Sequence, residues 1–77
     1  MPTISYFYGI AIRMYYNDHN PPHFHALSAN TEALITIGDL VILEGKLPKG
    51  TTKAVMQWAE ENRVVLWEVW HRLNPGR

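Results

Sequence analysis

The sequence lacks cysteine, and this absence excludes several kinds of chemistry. None of the 77 residues is a cysteine, so disulfides, thiolate zinc sites and thiol nucleophiles are excluded. An excess of charge of one sign is also lacking, because seven basic and seven acidic side chains give a formal net charge of zero. This balance disfavours a strongly basic nucleic-acid binder, whose phosphate contacts need clustered lysine and arginine. A balanced charge is still compatible with an enzyme that acts on RNA only briefly.

Long apolar runs are missing as well, and none approaches the roughly 20 residues that cross a bilayer. The N-terminus has no basic region followed by an apolar stretch, as a signal peptide would. We therefore expect a cytoplasmic protein. A chain of 77 residues has room for a single domain, spanning residues 1–77. We expect its stability to be modest, or to be supplemented by a partner or a second copy in a homodimer.

The spacing of apolar residues predicts a sheet followed by a helix. Ile10, Ile12 and Met14 alternate with more polar neighbours, and further strands are expected over residues 23–28, 32–37 and 40–44. From Thr51 onwards, apolar side chains recur at spacings of three and four, which predicts one long helix. A break in that helix at Asn62 is left open. The predicted fold is α+β with two layers: a four-stranded antiparallel β-meander and one long C-terminal α-helix packed on one face.

Three of the four histidines lie in one segment, Asp18-His19-Asn20-Pro21-Pro22-His23-Phe24-His25-Ala26. On a strand, the side chains of His23 and His25 point to the same face of the sheet. Burying Phe24 costs less free energy than burying two imidazoles, so we expect Phe24 in the core. The matching register places Met14 opposite Phe24, Ile12 opposite Ala26, Arg13 opposite His25 and Tyr15 opposite His23. This register groups four side chains on the outer face of the sheet: Arg13, Tyr15, His23 and His25. Asp18 and His19 would lie at the rim of this group.

This group predicts a catalytic site that needs no metal. His25 would act as general base or acid with His23 as its partner, because imidazoles exchange protons near neutral pH. Arg13 would bind a phosphate group, and Tyr15 would position the substrate. Asp18 and His19 would contact the substrate or a partner. Such a site suits the cleavage of RNA or action on a nucleotide.

Two alternatives stay open. His23 and His25, with His19 or Asp18 as a third ligand, can form a divalent metal site with an open position, although no second-shell partner is identifiable. Of the two kinds of site, we favour the catalytic one that needs no metal, so no cofactor is predicted, and a divalent metal stays an alternative. The chain can instead be a non-catalytic protein-binding module that contacts its partner through the histidine face or through an exposed Trp67.

A long stretch of the chain resembles a bacterial family catalogued as domain of unknown function 4160. The resemblance rests on Asp-His-x-Pro-Pro-His-Phe-His-Ala, on the later Ile42-Leu43-Glu44-Gly45-Lys46-Leu47-Pro48 and on the tryptophan-bearing helix. The motif positions are Gly9, Arg13, Asp18, His19, Pro21, Pro22, His23, His25, Glu44, Gly45 and Lys46.

Genes of that family often lie beside one for a domain of unknown function 2442 protein, and the pair resembles a type II toxin–antitoxin module. The resemblance therefore implies a toxin component with a small antitoxin-like protein as its partner.

Overall fold

A computed structural model describes residues 3–16 and 18–76, so Asn17 of the predicted loop lies outside the described residues. The elements are β1 (Thr3–Phe7), β2 (Ile10–Arg13), β3 (His23–Ser28), β4 (Thr31–Thr36), β5 (Ile42–Gly45), α1 (Lys49–Glu61) and α2 (Arg63–Leu73). The strands form one antiparallel sheet in the order β1-β2-β3-β4-β5. The predicted α+β class and antiparallel meander are confirmed.

The predicted number of strands is wrong, because the first segment of the chain is a fifth strand. β1 pairs with β2 through Phe7 opposite Ile10, which leaves Tyr8 and Gly9 as a two-residue turn. Both turn residues have positive φ, 50° and 74°, and such turns match the natural twist of paired strands. β1 lies at the edge of the sheet and is half exposed, so its apolar alternation is weak in the sequence.

The predicted single long helix is also wrong, and the break is at Asn62. The Asn62 side-chain Nδ2 donates to the Trp58 carbonyl at 2.8 Å, and its backbone N–H also bonds to the carbonyls of Trp58 and Ala59. Asparagine competes for backbone groups in this way, and it therefore favours helix ends over helix interiors. α1 begins at Lys49, earlier than the predicted Thr51. Neither helix in the described part of the chain is long and apolar enough to cross a membrane.

Both helices and the sheet contribute to one core. Its fully buried side chains include Ile12 and Phe24 from the sheet, Val55 from α1, and Leu66 and Trp70 from α2. The predicted register is confirmed where β2 and β3 pair, with Ile12 opposite Ala26 and Arg13 opposite His25. The apolar face of the sheet is therefore the face that the helices cover.

Candidate metal centre

Strand β3 positions two histidines on the face of the sheet opposite the side chain of Phe24. His23 and His25 are its first and third residues, and Phe24 between them is fully buried, as predicted. β3 is paired on both sides, so the backbone of His25 is held between Arg13 of β2 and Leu34 of β4. Two rings on one strand, two residues apart, are thus presented side by side, with centroids 5.1 Å apart.

The expectation that His23 lies on an open outer surface is wrong. Only 1% of His23 is exposed. Its ring lies against Trp70 of α2, with the centroids 5.4 Å apart. The contact arises because α2 reaches the entry of β3, and sequence spacing does not reveal that contact. His25 keeps 13% of its side chain exposed, so it is the histidine of β3 that faces solvent.

Asp18 lies at the centre of the histidine group and not at its rim. Its Oδ2 atom is 2.9 Å from His23 Nε2 and 3.5 Å from His25 Nε2. Its Oδ1 atom accepts the His19 backbone N–H at 2.9 Å and lies 3.0 Å from His19 Nδ1. The loop between β2 and β3 therefore folds back so that one carboxylate meets both rings.

The other nitrogen of each ring faces an oxygen acceptor. His23 Nδ1 is 2.8 Å from the Pro21 carbonyl oxygen, and His25 Nδ1 is 3.0 Å from Glu32 Oε2. Since these oxygens accept hydrogen bonds, the Nδ1 atom of each ring can donate to them, and Nε2 is the nitrogen that faces Asp18. A histidine that keeps its Nδ1 proton in such a bond can offer the Nε2 lone pair to a metal ion.

The three side chains form a compact set of metal-ligating atoms. One ligand atom each from Asp18, His23 and His25 lies within 4.8 Å of the others. The Nε2 atoms of both histidines are buried, and each faces Oδ2 of Asp18, at 2.9 Å for His23 and 3.5 Å for His25. Two imidazole nitrogens and a carboxylate oxygen that converge in this way can hold a shared cation.

The charge of Asp18 fits this arrangement. Burial opposes ionisation of the carboxyl, but the hydrogen bond from the His19 N–H and the neighbouring His23 and His25 rings outweigh it. Together they hold the pKa of Asp18 below its ordinary value of 3.8. Asp18 is therefore an anion at neutral pH, the form in which a carboxylate binds metal.

The remaining predicted site residues lie at different distances from this cluster. Tyr15 packs edge-on against the His25 ring, with centroids 4.5 Å apart. The ladder of β2 ends at Arg13, so Tyr15 is not paired with His23 as expected. Arg13 is half-buried opposite His25, and its Nε has no hydrogen-bond partner in the described ranges. Trp67 lies elsewhere, stacked on His71 of α2 at 5.8 Å.

An open pocket of about 380 Å³ lies beside the cluster. Its lining comes from the loop and from β3, β4 and β5: His19, His25, Glu32, Leu34, Glu44 and Gly45. Gly45 has φ +76°, and a Cβ there would lie 2.0 Å from the Glu32 carbonyl oxygen. The strand that carries Glu44 can therefore approach β4 this closely only because residue 45 is glycine.

Sequence reasoning missed two residues of this site. Glu32 lies on the neighbouring strand, directly opposite Leu27, and the sequence pattern predicts only that a strand begins there. Asn74 follows α2, where asparagine and the Pro75-Gly76 pair after it are ordinary signals of a helix end, yet its Oδ1 accepts the Asp18 backbone N–H. The burial of Asn74, which is 1% exposed, distinguishes it from an ordinary helix end, but only a structure shows that burial.

The comparisons with known proteins assign the sequence of this chain to a family. No curated protein and no solved structure gives a significant match to the chain. Residues 9–71 match the family described as Domain of unknown function (DUF4160). The matched range runs from the first turn to α2 and includes Asp18, His23, His25 and Glu32. The chain thus belongs to the DUF4160 family.

Proposed function

We propose that this protein binds one divalent transition-metal ion through His23 Nε2, His25 Nε2 and a carboxylate oxygen of Asp18. The observation that carries the proposal is the convergence of these three groups within 4.8 Å, with both histidine Nδ1 atoms already bonded to oxygens. Histidines that ligate metals commonly donate their other ring N–H to a carboxylate or a backbone carbonyl. Glu32 and the Pro21 carbonyl supply one of each.

The burial of His23 favours metal binding over proton transfer. A general acid or base must come within hydrogen-bond reach of the substrate, but the His23 side chain has 0% of its surface exposed. A metal ligand has no such need, because the ion itself contacts the substrate. The metal-independent mechanism therefore loses its second histidine, while the metal site uses both.

The donor set indicates the class of metal and the character of the site. Two imidazoles and one carboxylate, without sulfur, suit ions such as Zn²⁺ or Fe²⁺. Three protein ligands leave at least one coordination position open, which is typical of catalytic rather than structural sites. When bound, such an ion can polarise a substrate oxygen or activate water. We place the open position on the side of His25, because 13% of its side chain is exposed whereas the His23 side chain has none of its surface exposed.

The toxin-like role and the antitoxin-like partner remain predictions from the resemblance. The family description names neither. A metal-dependent activity would be compatible with a toxin, but the proposal of a metal site does not depend on it. Growth arrest on expression, with and without the neighbouring gene, tests the toxin prediction separately.

Metal uptake by purified protein tests the proposed function. Protein without a histidine tag is titrated with Zn²⁺ or Co²⁺ by calorimetry, and bound metal is counted by elemental analysis after gel filtration. We expect one ion per chain for the wild type. His25→Ala should lose this ion because it removes one of three ligands.

The matched control is His71→Ala. His71 is the fourth histidine of the chain and lies on α2, exposed and stacked on Trp67. Its removal should leave stoichiometry and affinity unchanged. Absence of stoichiometric uptake by the wild type would refute the proposal, as would an equal loss in the two variants.

A further inference from the structure

Asn74 ties the end of α2 to the loop that carries Asp18. Its Oδ1 accepts the Asp18 backbone N–H, while its Nδ2 donates to the carbonyls of Trp70 at 3.2 Å and Tyr15 at 3.4 Å. All the polar groups of this side chain are therefore engaged, at a residue that is 1% exposed. Asp18 and Tyr15 lie on either side of Asn17, so one amide contacts the loop both before and after that residue.

From these contacts we infer that Asn74 is a positioning residue for the metal site, holding Asp18 so that its carboxylate meets the Nε2 atoms of His23 and His25. This inference rests on the proposed function. The physical reason is that Asp18 lies in a loop, whereas both histidines are fixed by strand pairing. Without an anchor, ordering that loop around an ion costs conformational entropy. A fully bonded buried amide meets that cost during folding, before the ion arrives.

The same end of α2 also contributes Trp70, whose ring contacts His23. The end of α2 and the residue after it therefore contact two of the three ligating residues. Asn74 bonds to the backbone N–H of Asp18, and the Trp70 ring lies against the His23 ring. Asn74 is the polar part of this contact, and its hydrogen bond to Asp18 joins residues 56 positions apart in the chain. The position of Asp18, one of the three proposed ligands, thus depends on where α2 ends.

Asn62 offers a matched comparison within the same chain. It also follows a helix, and its Nδ2 donates to the carbonyl four residues earlier, Trp58, at 2.8 Å, as Asn74 does to Trp70. Asn74 differs in reaching the Asp18 loop. A purely structural role at a helix end predicts similar effects at the two positions, whereas a positioning role predicts an effect on metal affinity at Asn74 alone.

The experiment measures Co²⁺ affinity and the Co²⁺ absorption spectrum for the wild type, Asn74→Ala and Asn62→Ala. Loss of groups that orient metal ligands commonly lowers affinity about 10- to 100-fold, and we expect Asn74→Ala to fall in this range with an altered spectrum. Asn62→Ala should bind as the wild type does. Thermal unfolding without metal shows how far each variant is destabilised.

Asn74→Ser is the second variant, and it keeps the test decisive if Asn74→Ala does not fold. Serine leaves the bond from the backbone N–H of residue 74 to the Trp70 carbonyl in place, but its side chain is too short to replace the amide at Asp18. We expect the same loss of affinity. Wild-type affinity and spectrum in a folded Asn74 variant would overturn the inference. Failure of the wild type to bind Co²⁺ would instead overturn the proposed function.

Discussion

The ring of His25 lies between two carboxylates, and this position suits it to bind a metal ion through one nitrogen while the other bonds to a carboxylate. Glu32 faces Nδ1 at 3.0 Å, and Asp18 faces Nε2 at 3.5 Å. The pairing of His25 with Arg13 could be predicted from the alternation of β2 and the cost of burying imidazoles. The contact between the side chains of His25 and Glu32 could not be predicted in this way, because it depends on the register of β3 with β4.

The identity of the third ligand is a prediction at this scale. The sequence left His19 and Asp18 as alternatives, and the geometry favours Asp18, since it is the residue grouped with His23 and His25. Asp18→Asn should weaken Zn²⁺ binding strongly, because a neutral amide oxygen is a poorer ligand than a carboxylate. His19→Ala should retain the ion, because the bond from the backbone N–H of residue 19 to Asp18 Oδ1 does not depend on the side chain. Calorimetric titration of both variants checks this, and the reverse order of effects would favour His19 as the ligand.

Glu32 provides a second prediction, with a glutamate of the same pocket as its control. Glu32→Ala removes the acceptor of the His25 Nδ1 proton, so we expect metal affinity to fall about 10- to 100-fold. Glu44→Ala changes the charge of the same pocket without touching the His25 ring. Competition with a chelating dye measures both affinities. Equal losses would mean that pocket charge, and not the hydrogen bond, governs binding.

At the scale of elements, strand β5 depends on one glycine. Gly45 was recognised as part of a motif, but its role follows from a close approach that the sequence does not show. With φ +76° and the Glu32 carbonyl 2.0 Å from any Cβ, Gly45→Ala combines backbone strain with a clash against backbone. Backbone strain alone costs about 1–3 kcal/mol, so the free energy of unfolding should fall by more than that.

Gly9→Ala isolates the strain from the clash. Gly9 has φ +74°, and a Cβ there would meet nothing within 4 Å. Its loss of unfolding free energy should stay within the range of strain alone, about 1–3 kcal/mol. Urea denaturation of both variants gives the comparison. A Gly45→Ala protein no less stable than Gly9→Ala would contradict the close packing of β5 on β4.

The element boundaries show why part of the fold was beyond sequence reasoning. The alternation of Ile10, Ile12 and Met14 predicts β2 well, because one face of that strand is fully buried. β1 is an exposed edge strand, so burial imposes little pattern on it. The helix stripe continues through Asn62, and whether a polar residue there ends a helix depends on its bond to Trp58.

At the scale of the whole molecule, the ionised carboxylate of Asp18 links stability to acidity. Its pKa is lower in the folded chain than the ordinary 3.8, so the unfolded chain binds this proton more readily. The stabilisation is fully present above pH 3.8 and is lost as the pH falls through the lowered value. Metal-free wild type should therefore lose stability over this acidic range more steeply than Asp18→Asn. Parallel curves of unfolding free energy against pH for the two proteins would contradict the shift.

Metal binding should also stabilise the folded chain as a whole. The ligands come from the β2–β3 loop and β3, and α2 anchors that loop through Asn74, so an ion joins parts that separate on unfolding. An ion at 100 times its dissociation constant adds about 2.7 kcal/mol if it binds only the folded state. The melting temperature should therefore rise with Zn²⁺ in the wild type and in His71→Ala. It should stay constant in His25→Ala, and an equal rise there would place the stabilising ion elsewhere.

Anomalous diffraction from crystals of Zn²⁺-loaded protein tests the central claim most directly, because it locates the ion. Zinc lies about 2.0–2.2 Å from imidazole nitrogens and carboxylate oxygens. The predicted result is one strong peak at this distance from His23 Nε2, His25 Nε2 and a carboxylate oxygen of Asp18. A peak confined to His71 or His19, or no peak at any histidine, would contradict the account.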